Sequence, residues 1–174
     1  MVLCSGPTEK ILRGIRIVLA GLRLRLNEEK TRVVDAREER FNFLGYTIQA
    51  VKHPETGKIF ALIRPSQKAM VRVKAEMKAL TCRKALWLPT EVVIGKLNEL
   101  VREWVGYFYY GNCSRPLNKI KHFLEERVRI YLRRKHRHRT GGYRAFPTSL
   151  LYGRFGLYRL PTTAPWTALA SASR

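Results

Sequence analysis

The stretch "LVREWVGYFYYGNCSRPLNKI", Leu100 to Ile120, decides how this chain is read. Tyr107, Phe108, Tyr109 and Tyr110 stand side by side, Gly111-Asn112 follows, and a basic run comes after. Such a stretch is either the core of a small helical bundle or an aromatic surface that touches nucleic acid. Periodicity separates the rings. Val93, Leu97, Leu100, Val101, Trp104 and Phe108 recur at helical spacing behind Thr90, a cap residue, so Trp104 and Phe108 belong to a bundle interior. Tyr107 lies off that stripe, and one of Tyr109 and Tyr110 is expected to face out. Gly111 is a natural helix stop.

The flanking sequence repeats the plan. Ser66 caps a helix whose Ala69, Met70, Val73, Met77 and Leu80 share a face. A further helix starts from about Pro116, with Leu117, Ile120, Leu124, Val128 and Tyr131 inside. Three helices with short connections predict a bundle over residues 65–140. Residues 141–174 are aromatic, Pro-spaced and poorly periodic, and read as an irregular extension packed on that bundle. Residues 1–64 are mixed. Thr8 caps a helix carrying Ile11, Leu12, Ile15, Val18, Leu19 and Leu22, and Gly21 ends it. "KTRVVDA", Lys30–Ala36, is one strand candidate and "FNFLGYTIQAV", Phe41–Val51, a second. "IFALIR", Ile59–Arg64, returns after a turn at Pro54–Lys58, which makes a hairpin over 43–64. The expected fold class is α+β.

Composition bounds the function. A chain of 174 residues that is 45% hydrophobic supports a real core and excludes global disorder. Lys plus Arg number 34 against 13 Asp plus Glu, a formal charge of +21, which points to a polyanion: nucleic acid first, an acidic membrane surface second. The charge is uneven. Residues 64–139 hold nineteen Lys/Arg against six acids, while residues 1–63 hold eleven against seven. Cys4, Cys82 and Cys113 are scattered, which excludes a disulfide framework or a Cys-x-x-Cys metal pair and fits a reducing, intracellular and cytoplasmic setting. No apolar run is long enough to span a bilayer, so no membrane partner is expected.

Catalytic chemistry is poorly supplied. Two-metal phosphoryl transfer needs clustered carboxylates. Glu28-Glu29 and Glu38-Glu39 read as solvated turn residues instead, and Asp35 is alone. His122, His136 and His138 have no Cys or acid at zinc spacing, so no metal site is expected. No P-loop, dinucleotide fingerprint or Ser/His/Asp arrangement is present. Phosphate-binding chemistry is abundant: Lys68, Arg72, Lys74, Lys78, Arg115, Lys119, Arg129, Arg133, Arg134, Lys135, Arg137 and Arg139 are candidate backbone contacts. Tyr107 and Asn112 are candidates for touching RNA bases.

Together these motifs resemble a known family. "LRLNEEKTRVVDA" and "FNFLGYTI" resemble the late palm of group II intron reverse transcriptases. "IRPSQKAMVRVKAEMKAL", the stretch from Leu97 to Arg137 and "YGRFGLYRLP" resemble the thumb and maturase-specific domain that follow it. The resemblance implies three regions: the end of a palm over 1–64, a helical thumb/maturase domain over 65–140, and an extension over 141–174. It implies that Phe43, Leu44 and Gly45 correspond to a primer grip and that Lys30 is an auxiliary near the incoming nucleotide. Trp104, Tyr107, Gly111 and Asn112 match its "W..Y...GN" pattern. In such proteins a Tyr-Ala-Asp-Asp strand carries the metal-binding aspartates. This sequence begins with residues resembling those just after that strand, so no cofactor is expected on its own, and Mg2+ only with a complete palm. The leading expectation is a truncated, RNA-binding maturase fragment that binds group II intron RNA and assists its folding and splicing in a prokaryote or organelle. The alternative is the C-terminal portion of a split RNA-directed DNA polymerase, active only with a missing N-terminal reverse transcriptase part. A non-functional relic is the third.

Overall fold

A computed structural model describes residues 2, 4, 6–139 and 141–162. The chain is α+β. It runs α1 (Thr8–Gly21), strands β1 (Phe41–Phe43), β2 (Tyr46–Lys52) and β3 (Ile59–Pro65), then α2 (Gln67–Leu80), α3 (Thr90–Phe108), α4 (Ser114–Lys135), α5 (Gly142–Ala145) and α6 (Thr148–Gly153). No described helix is long and apolar enough to cross a membrane.

The sheet is an antiparallel meander in the order β1-β2-β3, with Ile48 opposite Phe41 on one side and Ile63 on the other. The expected 43–64 hairpin is β2–β3. The sequence "FNFLGYTIQAV", expected as one strand, splits at Leu44-Gly45. Both have positive φ, 46° and 81°, as a two-residue type I′ hairpin loop requires. "KTRVVDA" is not a strand. Residues 28–30 and 36–38 are turns, and only the Ala36 carbonyl reaches the sheet, accepting from Ala50 N at 2.7 Å. Asn27 and Asp35 explain this. Asn27 Oδ1 accepts from Lys30 N (3.0 Å) and Asp35 Oδ1 from Arg37 N (2.8 Å), so local Asx turns take the backbone away from a ladder.

Caps and stops moved by a residue or two. Ser66 Oγ does accept from Ala69 N, at 3.2 Å, as a cap should. Thr8 and Thr90 are not caps: Pro7 and Pro89 hold those positions, and each Thr is the first helical residue. Gly21 is still helical. The left-handed residue after α1 is Arg23 (φ 57°), and Leu24 N closes back on Leu19 O at 2.8 Å in a Schellman turn. α4 starts at Ser114 rather than near Pro116, and ends in the same device with Arg137 (φ 53°) and His138 N to Arg133 O at 3.0 Å. The extension is less irregular than its spacing suggests, since α5 and α6 lie within it.

The core begins at Met70; before it, Pro65 is the one described apolar side chain that is buried. Val73 and Met77 from α2, Leu97 and Val101 from α3, and Leu117, Ile120, Leu124, Val128, Tyr131 and Leu132 from α4 fill its centre. Leu151, Leu157 and Leu160 close it from the C-terminal side. Each such side chain is worth about 1.5–3 kcal/mol of burial. The stripes read for α2, α3 and α4 are thus the ones that pack. α1 buries nothing.

Candidate nucleic-acid interface

The "W..Y...GN" residues form a clasp between sheet and bundle. Ile63 lies opposite Ile48 in the β2–β3 ladder. Its C=O accepts from Asn112 N at 2.6 Å, and its N–H donates to Asn112 Oδ1 at 3.2 Å. Asn112 therefore pairs with the free edge of β3 like one residue of a fourth strand. Gly111, at φ 77°, allows this approach, because a Cβ there would lie 2.5 Å from Ile63 O. Gly111 is not the helix stop; α3 has already ended at Phe108. Tyr107 Oη donates to Leu44 O at 2.8 Å, and Tyr46 Oη donates to Tyr107 O. Burial first, then nearby Tyr107, pushes the Tyr46 hydroxyl above its ordinary range. Phe108 stacks between Tyr46 and Trp104 at 5.0 and 4.8 Å. Asn112 and the Tyr107 hydroxyl are thus engaged within the chain, while the Tyr107 side chain is 50% exposed. What they hold is the Phe43-Leu44-Gly45 turn, whose three residues are all exposed.

The basic residues of α4 divide by flank. On the flank toward α2, Arg127 donates Nε and an Nη2 proton to Thr81 Oγ1 (3.0 and 2.7 Å), capping the end of α2. Burial, then the charge of Arg134, lowers the Arg127 pKa. One turn earlier, Phe123 lies beneath the Lys74 and Lys78 ammonium groups, at 5.1 and 6.0 Å. Lys119 and Arg115 continue that side by one and two turns, and both are exposed. Lys74, Lys78, Arg115, Lys119, Arg127 and Arg134 therefore make one cationic seam along α2 and α4. Sequence reasoning missed Phe123, and it read Arg127 only as part of the basic run of its helix, without the contact to Thr81. Phe123 falls one residue off the apolar stripe, and that offset between Lys119 and Arg127 was the available signal.

Arg129, on the other flank, is a correction. It is 3% exposed, and its guanidinium donates to Phe146 O (3.1 Å), Thr148 Oγ1 (2.8 Å) and Glu125 Oε2 (3.5 Å), under the Tyr143 ring. Tyr152 Oη donates to the other Glu125 oxygen at 2.7 Å; burial and this bond raise the phenol pKa. This buried cluster fastens the C-terminal extension. Lys135 is also committed: its ammonium donates to Leu86 O at 3.0 Å and to Leu88 O in the α2–α3 connection. Arg133, Arg134, Arg137 and Arg139 remain exposed. Lys68 and Arg72 sit on the side of α2 away from the seam, and Arg72 pairs with Glu76 at 2.9 Å.

Lys30 is exposed in the turn after Asn27, with no described hydrogen bond from its ammonium. Among the described residues no three His, Cys, Asp or Glu side chains gather in one place. His136 and His138 instead pack on Phe146, at 6.0 and 5.3 Å.

No curated protein matches the chain. Residues 70–146 match the family model described as the group II intron, maturase-specific domain. The match opens at Met70, where the buried core opens, and ends at Phe146, whose carbonyl anchors Arg129. Residues 70–146 of this chain are thus similar in sequence to the maturase-specific domain of group II introns.

Proposed function

We propose that this chain binds group II intron RNA and assists the RNA to fold and splice, with the intron supplying the transesterification chemistry. The observation that carries the reading is the cationic seam of α2 and α4, continuous with Arg133, Arg137 and Arg139 at the end of α4. Lys74, Lys78, Arg115, Lys119, Arg127 and Arg134 stand on helices whose opposite faces fill the core. A row of fixed cations releases counterions from a phosphate backbone, and its grip falls steeply with salt. A helix C-terminus favours the three cations Arg133, Arg134 and Lys135 of the last turn by about 0.3–1 kcal/mol each, but this explains neither Lys74 nor Lys119. The setting proposed is the interior of a prokaryotic cell or an organelle.

Filter binding of the purified chain to a structured group II intron RNA across a salt series tests this. A steep salt dependence with preference over a random duplex is expected. A flat response, or equal affinity for both RNAs, overturns it.

One observation favours a second reading, a piece of an RNA-directed DNA polymerase completed by a separate palm. α1 carries an apolar stripe and fully buries none of it; Val18 and Leu22 are each 64% exposed. Such a face asks for a covering partner. Mixing the chain with a reverse transcriptase fragment ending in Tyr-Ala-Asp-Asp should then give a stable complex; two separate species on gel filtration would dismiss this reading.

A further inference from the structure

An open cleft of about 490 Å³ lies between the last turns of α3 and the segment Tyr158–Pro161. Its walls are Arg102, Tyr109, Tyr110, Tyr158, Arg159 and Pro161. Asn98, outside the lining, positions one wall: its Nδ2 donates to Gly156 O at 2.9 Å and its Oδ1 accepts from Tyr158 N at 2.8 Å, pinning the segment alongside α3. Gly106 forms part of the lining, and a Cβ there would meet nothing within 4 Å, so the opening is not filled from within the described chain.

The chemistry of the walls selects the occupant. Two guanidinium groups line the cleft and no carboxylate does. Neither Arg102 nor Arg159 makes an ion pair among the described residues; instead they lie over the Tyr158 and Tyr152 rings at 5.3 and 4.9 Å. Tyr110 is 67% exposed, with no described hydrogen bond to hold its ring. Arginines for phosphate and exposed tyrosines for a base face are the equipment for single-stranded nucleic acid. The volume lies within the roughly 300–1,000 Å³ of small-molecule sites, so it takes one splayed base and not a paired helix.

We infer that this cleft is a stacking site for an unpaired nucleotide of bound RNA, separate from the cationic seam. The two surfaces are on different sides of α4. α2 packs toward Phe123 and Arg127, whereas the C-terminal extension packs toward Glu125 and Arg129. The inference rests on the RNA-binding reading above and adds to it a contact to bases rather than to the backbone.

The test uses the full chain with two probes, a short oligouridylate and a blunt RNA duplex. Tyr110→Ala and Arg102→Ala alter exposed side chains, and each should weaken the oligouridylate about tenfold. Tyr110→Phe, which keeps the ring, should stay near wild type. Gly106→Leu has room in the fold and fills the cleft, so it should abolish oligouridylate binding. Duplex affinity should change less than about twofold in all of these. Lys74→Ala with Lys78→Ala should show the opposite preference. A 5-iodouridine crosslink from the oligouridylate should map to Tyr109, Tyr110 or Tyr158. Equal losses on both probes, unchanged oligouridylate binding in Tyr110→Ala and Gly106→Leu, or crosslinks confined to α2 and α4 would overturn the inference while leaving RNA binding intact. A wild-type chain that binds neither probe nor intron RNA would overturn both readings.

Discussion

α1 and α4 are both amphipathic helices with regular apolar spacing, and they meet opposite fates. α4 buries Leu117, Ile120, Leu124, Val128, Tyr131 and Leu132 against two other helices and the C-terminal extension. α1 carries Ile11, Leu12, Ile15, Val18 and Leu19 at the same spacing and buries none of them. Periodicity tells which residues of a helix would face a core. It says nothing of whether the core is in the same chain. The contrast also runs through the charges: α4 buries one arginine, Arg129, while Arg133 and Arg134 in its last turn, and Arg137 and Arg139 just beyond it, stay out.

The largest expected effect attacks the contrast directly. Leu124→Ala opens a cavity in a fully buried site and should cost about 3 kcal/mol, read as a lowered denaturation midpoint. Ile15→Ala on α1 should cost less than about 0.5 kcal/mol in the same assay. Comparable losses would mean that α1 packs in solution. Arg129→Ala should be nearly as severe, at about 3 kcal/mol, because it strands the buried Glu125 carboxylate. Arg133→Ala, one turn on and exposed, should be near neutral for stability and show itself only in RNA affinity.

Gly111→Ala comes next, at about 2 kcal/mol. It combines an unfavourable positive φ with a Cβ pressed on the Ile63 carbonyl. The readout specific to the clasp is hydrogen exchange: the Ile63 amide, held by Asn112 Oδ1, should lose protection before the core of α4 does. Protection retained at Ile63 would show that the sheet is held to the bundle by something other than this pair.

These cases also show what the sequence made legible. The bundle stripes were readable because every residue of them is satisfied by a neighbour within the same chain, so local period and tertiary packing agree. The clasp was not. Trp104, Tyr107, Gly111 and Asn112 stood out as a pattern, yet their work is to meet Leu44 and Ile63 about fifty to sixty residues away, and period carries no such distance. The candidate site was half visible for the same reason. Lys, Arg and Tyr are easily counted, but Arg129, Lys135 and Asn112 are consumed by contacts to distant carbonyls and amides. The strand expected at Lys30–Ala36 failed for a local reason, since Asn27 and Asp35 turn the backbone before it can pair.

The smallest effect separates charge from fold most cleanly, and it lies at the end of α4. Changing Arg133, Arg134, Lys135 and Arg137 together would confuse the two, because Lys135 holds the Leu86 and Leu88 carbonyls. Arg137→Gly avoids this. Arg137 closes the Schellman turn at φ 53°, a conformation that costs a non-glycine residue about 1–2 kcal/mol, partly offset by the backbone freedom glycine loses on folding. Its removal should therefore raise stability by up to about 1 kcal/mol and at the same time reduce the salt slope of RNA binding by about one. Stability and affinity would then move in opposite directions through one residue, which a change in fold cannot produce. An unchanged salt slope would mark Arg137 as a solvated helix end and confine the phosphate-binding surface to the α2–α4 seam.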